Sequence, residues 1–459
     1  SNVLGTLKEK EETARAMEKA ARAGNDPDLY FHAAWLWLEA DRSGKALALL
    51  KPLADRKKVK TDWLLLLCNT YINLGRTLDA AGSMDRAIKQ DPSPENLYTG
   101  GVLWLQAEKP DRAQKHLLRL VAMPSPKSDW FVALAHAWAM SADMDQAALA
   151  MEQAFGLSNL PDHAYQAGLM RLQLKEADKA LTLLLFLETQ PGPRADWLVA
   201  LSNAWVMKER FERAALVMDR AARISKKDSH YFRAARLWLQ AEKPGKALPL
   251  LTLLVGRPEP KAEWLITLSN THLLLEDIPN AAKAMERAAG ISKKGKHWYR
   301  AAMLWHQAGN GPETTAKTIG LLRLSVEKDP VEQRWLIDLA ERLVQTRQRT
   351  ESLTVMNRTR LAQSREPAAL CYRGALIWMK LQQPQKALSI LKFICNQPGP
   401  DYSWLAALVR LYMELAQPDQ AEKVLSRLLN AFPEKAKTWK LAAWTALEQA
   451  DYARAAAAM

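Results

Sequence analysis

Three histidines recur at equal intervals, and equal spacing of good metal ligands raises the question of a metal site. His163, His230 and His297 are 67 residues apart. Two imidazole nitrogens on one zinc ion must each lie about 2 Å from the metal. Residues separated by two stacked helical units lie about 20 Å apart, because packed helices are roughly 10 Å from axis to axis. The spacing therefore excludes a shared metal, and we predict that the chain binds no metal and no other cofactor.

The remaining residues that often carry chemistry form no catalytic pattern. Cys68, Cys371 and Cys395 have neither the spacing of metal ligands nor that of a redox pair. The sequence contains no glycine-rich phosphate loop, nucleophile elbow, HExxH zinc motif or kinase signature. Catalysis also needs acid–base groups that occur once against a repeating background, and none stands out in this sequence. We therefore predict that the protein is not an enzyme.

The chain repeats itself with a period that one tryptophan marks. Its copies are 67 residues apart at first and then 71 and 69 apart, at Trp63, Trp130, Trp197, Trp264, Trp335 and Trp404. The surrounding text recurs too, as in "DWLLLLCNTY" and "DWLVALSNAW". Between these copies lies a second kind of unit with the same plan, as in "YTGGVLWLQAEKP" and "FRAARLWLQAEKP". The period of 67 is therefore 33 plus 34, and the sequence predicts two alternating helix-turn-helix units.

These units resemble tetratricopeptide repeats, whose signature is W-x2-L-G-x2-Y, then A-x3-F-x2-A, then Pro. The clearest match lies at Leu64, Leu67, Cys68, Tyr71, Ala80, Met84, Ala87 and Pro92. Two departures recur: the signature tryptophan stands one residue early in half of the repeats, and Met or Leu replaces Phe. The resemblance implies an all-α fold, an α-solenoid wound as a right-handed superhelix. It also implies that the first helix of each repeat lines a concave groove.

The resemblance divides the chain into complete and incomplete repeats. The predicted parts are a partial repeat with only its second helix (1–26), nine repeats of alternating 33 and 34 residues (27–332), a degenerate repeat (333–367), two further repeats (368–435) and a truncated repeat (436–459). One repeat alone cannot bury its apolar face, whereas stacked repeats can. Because both ends fall inside a repeat, we expect a fragment of a longer protein.

If the repeats fold as this family does, helical spacing sorts the groove residues into columns. In the first kind of unit one column holds Asn69, His136, Asn203 and Asn270, and later in the chain Arg410. An Asn amide can both donate to and accept from an extended peptide backbone. Family members that hold a peptide carboxylate have a lysine four residues before this Asn. This chain has Leu65, Val199 and Ile266 there, so a carboxylate clamp is not supported. The alternative to a peptide ladder is that each amide bonds to a neighbouring helix.

The second kind of unit contributes an aromatic, an amide and a guanidinium column. The rings are Phe31, Tyr98, Tyr165, Phe232, Tyr299 and Tyr372. Eight residues later stand Glu39, Gln106, Gln173, Gln240 and Gln307, and directly after the last three rings stand Arg233, Arg300 and Arg373. Rings beside amides and guanidinium groups can stack on and hydrogen-bond a peptide or a sugar polymer. The alternative is that the rings only pack between helices, although a core rarely keeps an unpaired amide.

The charge of the chain bears on its partners. The formal net charge is +14 and the isoelectric point is about 9.5, which would suit an acidic partner, an anionic surface or nucleic acid. Acidic residues interrupt the basic groups almost everywhere, which is typical of solvated loops. The leading interpretation is a protein-interaction scaffold that holds a segment of a protein partner in the groove. The alternatives are a scaffold that guides a polysaccharide or recruits its modifying enzymes and, ranked last, a nucleic-acid-binding solenoid.

One block indicates where the protein works. Residues 263–305 resemble bacterial tetratricopeptide proteins associated with TonB energy-transduction systems. The array is also similar to the periplasmic repeat regions of exopolysaccharide export proteins. These resemblances imply a periplasmic location with partners in the cell envelope, and the alternative is a cytoplasmic adaptor. No apolar run approaches the roughly 18 residues of a membrane span, so we predict no transmembrane segment in this stretch of chain.

Overall fold

The chain folds into helices in two compact units. A computed structural model describes residues 2–327, 330–361, 366–449, 455, 457 and 458, with side chains from residue 9 onward. The units are Ser1–Glu242 and Lys243–Met459. The described residues contain helices and no strand, which confirms the predicted all-α class. Residues 362–365 of the predicted degenerate repeat and 450–454, 456 and 459 of the truncated repeat lie outside the described residues.

The first unit contains helices α1 to α14. Their bounds are α1 Asn2–Gly24, α2 Pro27–Glu39, α3 Ser43–Ala54, α4 Thr61–Asn73, α5 Thr77–Gln90, α6 Pro94–Gln106, α7 Pro110–Val121, α8 Ser128–Met140, α9 Met144–Ser158, α10 Pro161–Gln173, α11 Ala177–Glu188, α12 Ala195–Met207, α13 Phe211–Ser225 and α14 Asp228–Gln240.

The second unit contains helices α15 to α26 in its described residues. Their bounds are α15 Pro244–Val255, α16 Ala262–Leu274, α17 Ile278–Ser292, α18 Gly295–Ala308, α19 Pro312–Val326, α20 Gln333–Gln345, α21 Arg349–Met356, α22 Ala368–Lys380, α23 Pro384–Cys395, α24 Tyr402–Glu414, α25 Pro418–Ala431 and α26 Ala436–Glu448. We call the even-numbered helices first helices and the odd-numbered ones second helices. None of the described helices is both long and apolar enough to cross a membrane.

Local signals in the sequence place the helix starts. Pro27, Pro94 and Pro161 begin α2, α6 and α10. Proline is tolerated there because the first N–H groups of a helix have no intrahelical partner. Just before α6, the side chain of Ser93 accepts a hydrogen bond from the backbone N–H of Asn96, which satisfies one of these groups. The repeating sequence therefore restarts a helix at the same place in each repeat.

The turn inside a helix pair requires one residue in the left-handed backbone region. Gly75 adopts it between α4 and α5 with φ of 69°, which a residue without a Cβ does freely. Glu108 and Glu209 take the same place in other pairs, with φ of 55° and 56°. A side chain in this region costs roughly 1 kcal/mol. The packing of the two helices therefore sets the turn, even where glycine is absent.

Each helix of the first unit packs against the next helix along the chain, and α15 to α21 and α22 to α26 do so in the second unit. Neighbouring first helices also touch, as α6 touches α8 and α24 touches α26. Ala80, Ala147 and Ala214 on the second helices have no exposed surface, and larger side chains there would push the helices apart. Each unit is thus a stack of helix pairs, as the repeats predict.

A carboxylate on one second helix binds the following first helix in several repeats. The bonds run from the indole N–H groups of Trp37, Trp104 and Trp305 to Glu18 at 3.0 Å, Asp85 at 2.7 Å and Glu286 at 2.7 Å. Each carboxylate precedes its tryptophan by 19 residues. Since the two partners belong to adjacent repeats, these bonds help to fix how one repeat sits on the next.

Arg171 stands in this tryptophan place in one repeat of the first unit. It is 1 % exposed and binds Glu152 through Nε at 2.6 Å and through Nη2 at 2.9 Å. Its Nη1 binds Asp145 at 2.9 Å and Glu176 at 2.7 Å. These bonds, that to Glu152 first, raise the pKa of Arg171. The guanidinium therefore stays charged, and an ion-pair network replaces the indole–carboxylate bond at this point.

Candidate functional site

The exposed side chains of the first helices form a surface in each unit, which we call the first-helix face. Within the first unit α2 touches α4, α6 touches α8 and α10 touches α12, so their exposed side chains are neighbours. In the second unit α20 touches α22 and α24 touches α26. Every site residue predicted from the sequence belongs to a first helix. The predicted columns therefore stand on this face or beside it.

The asparagine column has two different environments. Asn69 and His136 are exposed, whereas Asn203 and Asn270 are half-buried. The side-chain oxygen of Asn203 accepts a hydrogen bond from Arg233 on the next first helix. Burial lowers the pKa of Arg233.

Asn270 makes the equivalent contact in the second unit. Its side-chain oxygen accepts from Nη2 of Arg300 at 2.5 Å. The structure thus joins the asparagine column to the guanidinium column. These two amide oxygens bond to a neighbouring helix, which was the alternative to a peptide ladder.

Tyr299 and Arg373 are held within the second unit by a buried carboxylate. Asp338 accepts a hydrogen bond from the Tyr299 hydroxyl at 2.6 Å and from Arg373 at 2.8 Å. Arg373 also binds Glu341, and the Tyr299 ring stacks on Trp335 with 5.6 Å between ring centres. Burial and the bond to Asp338 raise the pKa of Tyr299. Both predicted site residues are therefore engaged inside the protein.

The four predicted rings of the first unit are all half-buried. Phe31 and Tyr98 pack against its hydrophobic core. Burial also raises the pKa of Tyr165, and Phe232 is half-buried like the rest. Packing between helices, the alternative to ligand stacking, accounts for much of the surface of these rings.

The glutamine column is exposed throughout. Gln106, Gln173 and Gln240 in the first unit and Gln307 in the second are all exposed. In the described part of the chain none of them has a hydrogen-bond partner. Glu39, at the start of this column, forms an ion pair with Lys10 at 2.5 Å. The four amides are consequently accessible to a ligand on the first-helix face.

The repeated histidines make local contacts between helices. The imidazole Nδ1 of each lies within hydrogen-bond distance of a serine Oγ five residues earlier. The pairs are Ser158 with His163 at 2.7 Å, Ser225 with His230 at 2.8 Å and Ser292 with His297 at 2.6 Å. Among the described residues no group of three or more His, Cys, Asp or Glu is placed to hold a metal. The recurrence of histidine thus follows the recurring junction between repeats.

A pocket opens on the first-helix face of the second unit, and we call it the C-terminal pocket. It has a volume of about 630 Å³ and is bounded by α22, α24 and α26. Its charged and aromatic lining consists of Tyr372, Tyr402, Arg410, Lys437, Lys440 and Trp444. Small and apolar side chains of the same helices, such as Leu376, form the rest of its wall. Tyr372 and Arg410, both noted in the predicted columns, meet here.

The electrostatics of the C-terminal pocket are set by three cations. Arg410, Lys437 and Lys440 are exposed, and none of their side chains has a hydrogen bond or ion pair to another residue that the structure describes. Burial raises the pKa of Tyr372, while the nearby Arg410 acts in the opposite direction. The ring of Tyr402 is covered by the Lys435 ammonium, 5.0 Å from its centre. The pocket therefore presents positive charge beside apolar and aromatic surface.

The two units differ in the charge at the start of their first helices. In the first unit every first helix has an acidic residue in its first turn: Asp28, Asp62, Glu95, Asp129, Asp162, Asp196 and Asp228. Some of these are paired, as Asp28 is with Lys60 at 2.6 Å and Asp162 with Arg194 at 3.0 Å. Among the described first helices of the second unit only α16 has one, and α18, α20, α22, α24 and α26 have none.

Sequence reasoning missed Lys437, Lys440 and Trp444. The overlooked signal is the continuation of the aromatic column into the last repeat. The position there that is equivalent to Tyr372 lies 68 residues later and is Lys440. The columns drawn from the sequence stop before the truncated repeat, whose first helix is nevertheless formed as α26. Continuing the repeat register into that helix would have found the two lysines, although not the absence of acidic partners around them.

Comparison with known proteins gives a family match in this region. A model of the tetratricopeptide repeat family matches residues 379–445. No curated protein matches the chain. Similar solved structures include a tetratricopeptide repeat protein from Parabacteroides merdae, 13 % identical, covering 58 % of this chain and 98 % of that chain with a TM-score of 0.34. MamA from Desulfovibrio magneticus is 20 % identical, covering 36 % of this chain and 97 % of that chain with a TM-score of 0.30.

Proposed function

We propose, from the premise that this chain is a tetratricopeptide repeat protein, that it holds a segment of a partner protein on its first-helix face. Repeat proteins of this family are in general non-catalytic scaffolds for protein interactions. Stacked helix pairs present an extended surface that suits such a role. The proposal adds which surface is used and where the partner is anchored.

The observation that carries the proposal is the C-terminal pocket. It lies on the first-helix face, and it contains Tyr372 and Arg410, which the repeat pattern had placed among the binding columns. Its volume of about 630 Å³ falls in the range of ligand pockets, roughly 300–1,000 Å³. The exposed Gln307 offers a further amide contact on the first-helix face of the same unit. These features support a bound segment with a main anchor in the second unit.

The test maps which surface the partner contacts. A photo-crosslinking amino acid is placed on the first-helix face of the second unit at Gln307 or Met379, and on second helices of that unit at Lys283 or Lys423, in the full chain. Cells that naturally make the protein are then irradiated. We expect the same partner to be captured several-fold more efficiently from Gln307 and Met379. Equal capture from Lys283 and Lys423, or capture from those positions only, would contradict the proposal.

The location of the protein belongs to the same proposal. A periplasmic setting with partners in the cell envelope is implied only by two resemblances, that of residues 263–305 to TonB-associated repeat proteins and that of the array to exopolysaccharide export proteins. Fractionation of cells that carry the full-length gene tests it. Recovery of the protein with cytoplasmic markers would replace the envelope setting by that of a cytoplasmic adaptor.

A further inference from the structure

The charge of the C-terminal pocket indicates what kind of segment it binds. Resting on the proposed function, we propose that the pocket takes a short acidic segment of a partner protein. Carboxylate side chains of that segment bind Arg410, Lys437 and Lys440, and its apolar side chains pack against Trp444. The proposal thereby names the chemical class of the partner at a site that no comparison assigns.

The three cations differ from other cations of the first-helix face. Arg233 is bound to Asn203, and Arg373 to a buried and a half-buried carboxylate. Arg410, Lys437 and Lys440 have no such partner within the described part of the chain. Like charges held close together repel one another, and a bound anion relieves that repulsion. The folded second unit therefore keeps a cluster of positive charge that an external carboxylate can neutralise.

The wall of the pocket favours a peptide over a small inorganic anion. Leu376, Met379 and Ala407 contribute apolar surface, and Trp444 is 37 % exposed. Covering apolar surface with other apolar groups is favourable because it removes that surface from water. A segment that alternates acidic and apolar side chains can cover this surface and neutralise the cations at the same time.

The surroundings of the pocket favour a short segment over a long polyanion. Glu414 and Glu448 line the neighbouring hollow, which shares Trp444 with the pocket. Tyr402 offers little face for stacking a nucleotide base, because the Lys435 ammonium lies over its ring. Nucleic-acid binders neutralise many phosphates along a basic track. On the side of the neighbouring hollow, a strand that continues past the pocket meets Glu414 and Glu448.

The cations also suit side-chain carboxylates within a segment. Members of this family that clamp a terminal carboxylate have a lysine four residues before the amide position of the groove. Arg410 stands at that amide position, and Ala406 stands four residues before it. The pattern of a terminal clamp is therefore missing, and a free carboxyl terminus is not required for the binding that we propose.

The test uses defined peptides and the full chain. The probe is a fluorescein-labelled ten-residue peptide of glutamates interrupted by leucines, acetylated and amidated at its ends. Its matched control has glutamine in place of every glutamate, and a ten-nucleotide single strand of thymidines serves as a polyanion. Binding is followed by fluorescence anisotropy at low and moderate salt. We expect the glutamate peptide to bind at least roughly tenfold more tightly than the glutamine peptide, and to weaken as salt rises.

Two variants place the binding in the pocket. Lys437→Glu with Lys440→Glu should weaken binding of the glutamate peptide at least roughly tenfold, because two ion pairs with the peptide are lost and two charges are reversed. Lys283→Glu with Lys423→Glu makes the same charge change on second helices of the same unit, where both lysines are exposed. This control should change the affinity less than twofold. Circular dichroism melting shows whether both variants remain folded.

Several outcomes overturn the proposal. They are absence of binding by the glutamate peptide, equal binding of the glutamine peptide, and equal weakening in both double variants. Tighter binding of the thymidine strand that is lost in the Lys437 and Lys440 variant would assign the pocket to a polyanion instead. If the crosslinker at Met379 still captures a partner whose captured segment lacks acidic residues, the proposed function stands and only this inference fails.

Discussion

At the residue scale, the surroundings of His230 and His297 favour the neutral form of these two rings. His230 and His297 each contact a serine hydroxyl through Nδ1. Burial and then nearby basic side chains lower the pKa of both below the usual 6.5. Those side chains are Lys227 and Arg233 for His230, and Lys296, Lys294 and Arg300 for His297. A proton on either ring therefore disfavours the folded state.

This arrangement predicts how stability depends on pH. Because the folded pKa is lowered, the unfolded chain binds more protons than the folded one once the pH falls below about 6.5. The free energy of unfolding should therefore decrease as the pH is lowered from 7 to 5. Replacing His230 and His297 by Asn, the residue at the equivalent position 96, should make that fall smaller. Urea unfolding at the two pH values measures it.

The control for this prediction is His32→Asn. His32 is exposed on α2, and its replacement should leave the pH dependence of stability unchanged. If the double variant loses as much stability on acidification as the parent protein, the two histidines are not the cause of the pH dependence.

At the element scale, one place in the repeat links each first helix to the second helix before it. Tryptophan with a carboxylate partner fills this place in several repeats, and Arg171 fills it in one. The partner carboxylate is kept in both versions, since Glu152 precedes Arg171 by the same 19 residues. The repeat thus tolerates a change of chemistry where the contact between neighbouring helices is preserved.

Substitutions at Arg171 test the strength of this link. Arg171→Ala should lower the free energy of unfolding by about 3 kcal/mol, because it empties a buried place and leaves three carboxylates without their shared cation. Arg171→Trp should cost clearly less, since an indole N–H at this place reaches the carboxylate in other repeats. The urea midpoint of the transition measures both. Equal losses for the two variants would show that an indole at this place restores neither the packing nor the bond to Glu152.

At the scale of the whole molecule, helix contacts within each unit are made almost entirely between near neighbours in the chain. Stability in such stacks is a sum of terms for each repeat and for each interface between adjacent repeats. Loss of one core side chain should therefore act locally. This property follows from the repeat architecture and holds in each of the two units.

Hydrogen exchange measures how far a local change spreads. Leu67 in α4 is 3 % exposed and Leu408 in α24 is 2 % exposed. Replacing either by Ala should cost about 2–5 kcal/mol. We expect Leu67→Ala to speed amide exchange in α4, α5 and adjoining helices and to leave α24 and α25 unchanged, with the reverse pattern for Leu408→Ala. Uniform faster exchange along the whole chain in either variant would contradict this prediction.

Much of the fold was predictable because its signals are local. Three features recur in register: the position of Trp63 and its copies, the fully buried Ala80 and Ala214, and the prolines at helix starts. Helix formation and the contact of adjacent helices depend on side chains within about one repeat. The candidate site was predictable only in part: Tyr372 lines the C-terminal pocket, whereas Tyr299 is engaged with Asp338.

The sequence by itself determined the repeating helical class, the alternation of two repeat types and the face on which the predicted site residues stand. Only the tertiary structure decided which of those residues remain available. Arg233 and Arg373 are bound within their units, whereas Arg410, Lys437 and Lys440 have no partner among the described residues. The physical reason is distance. A repeat period places a residue on a face, but a hydrogen bond or ion pair forms only when atoms from different helices come within about 3–4 Å.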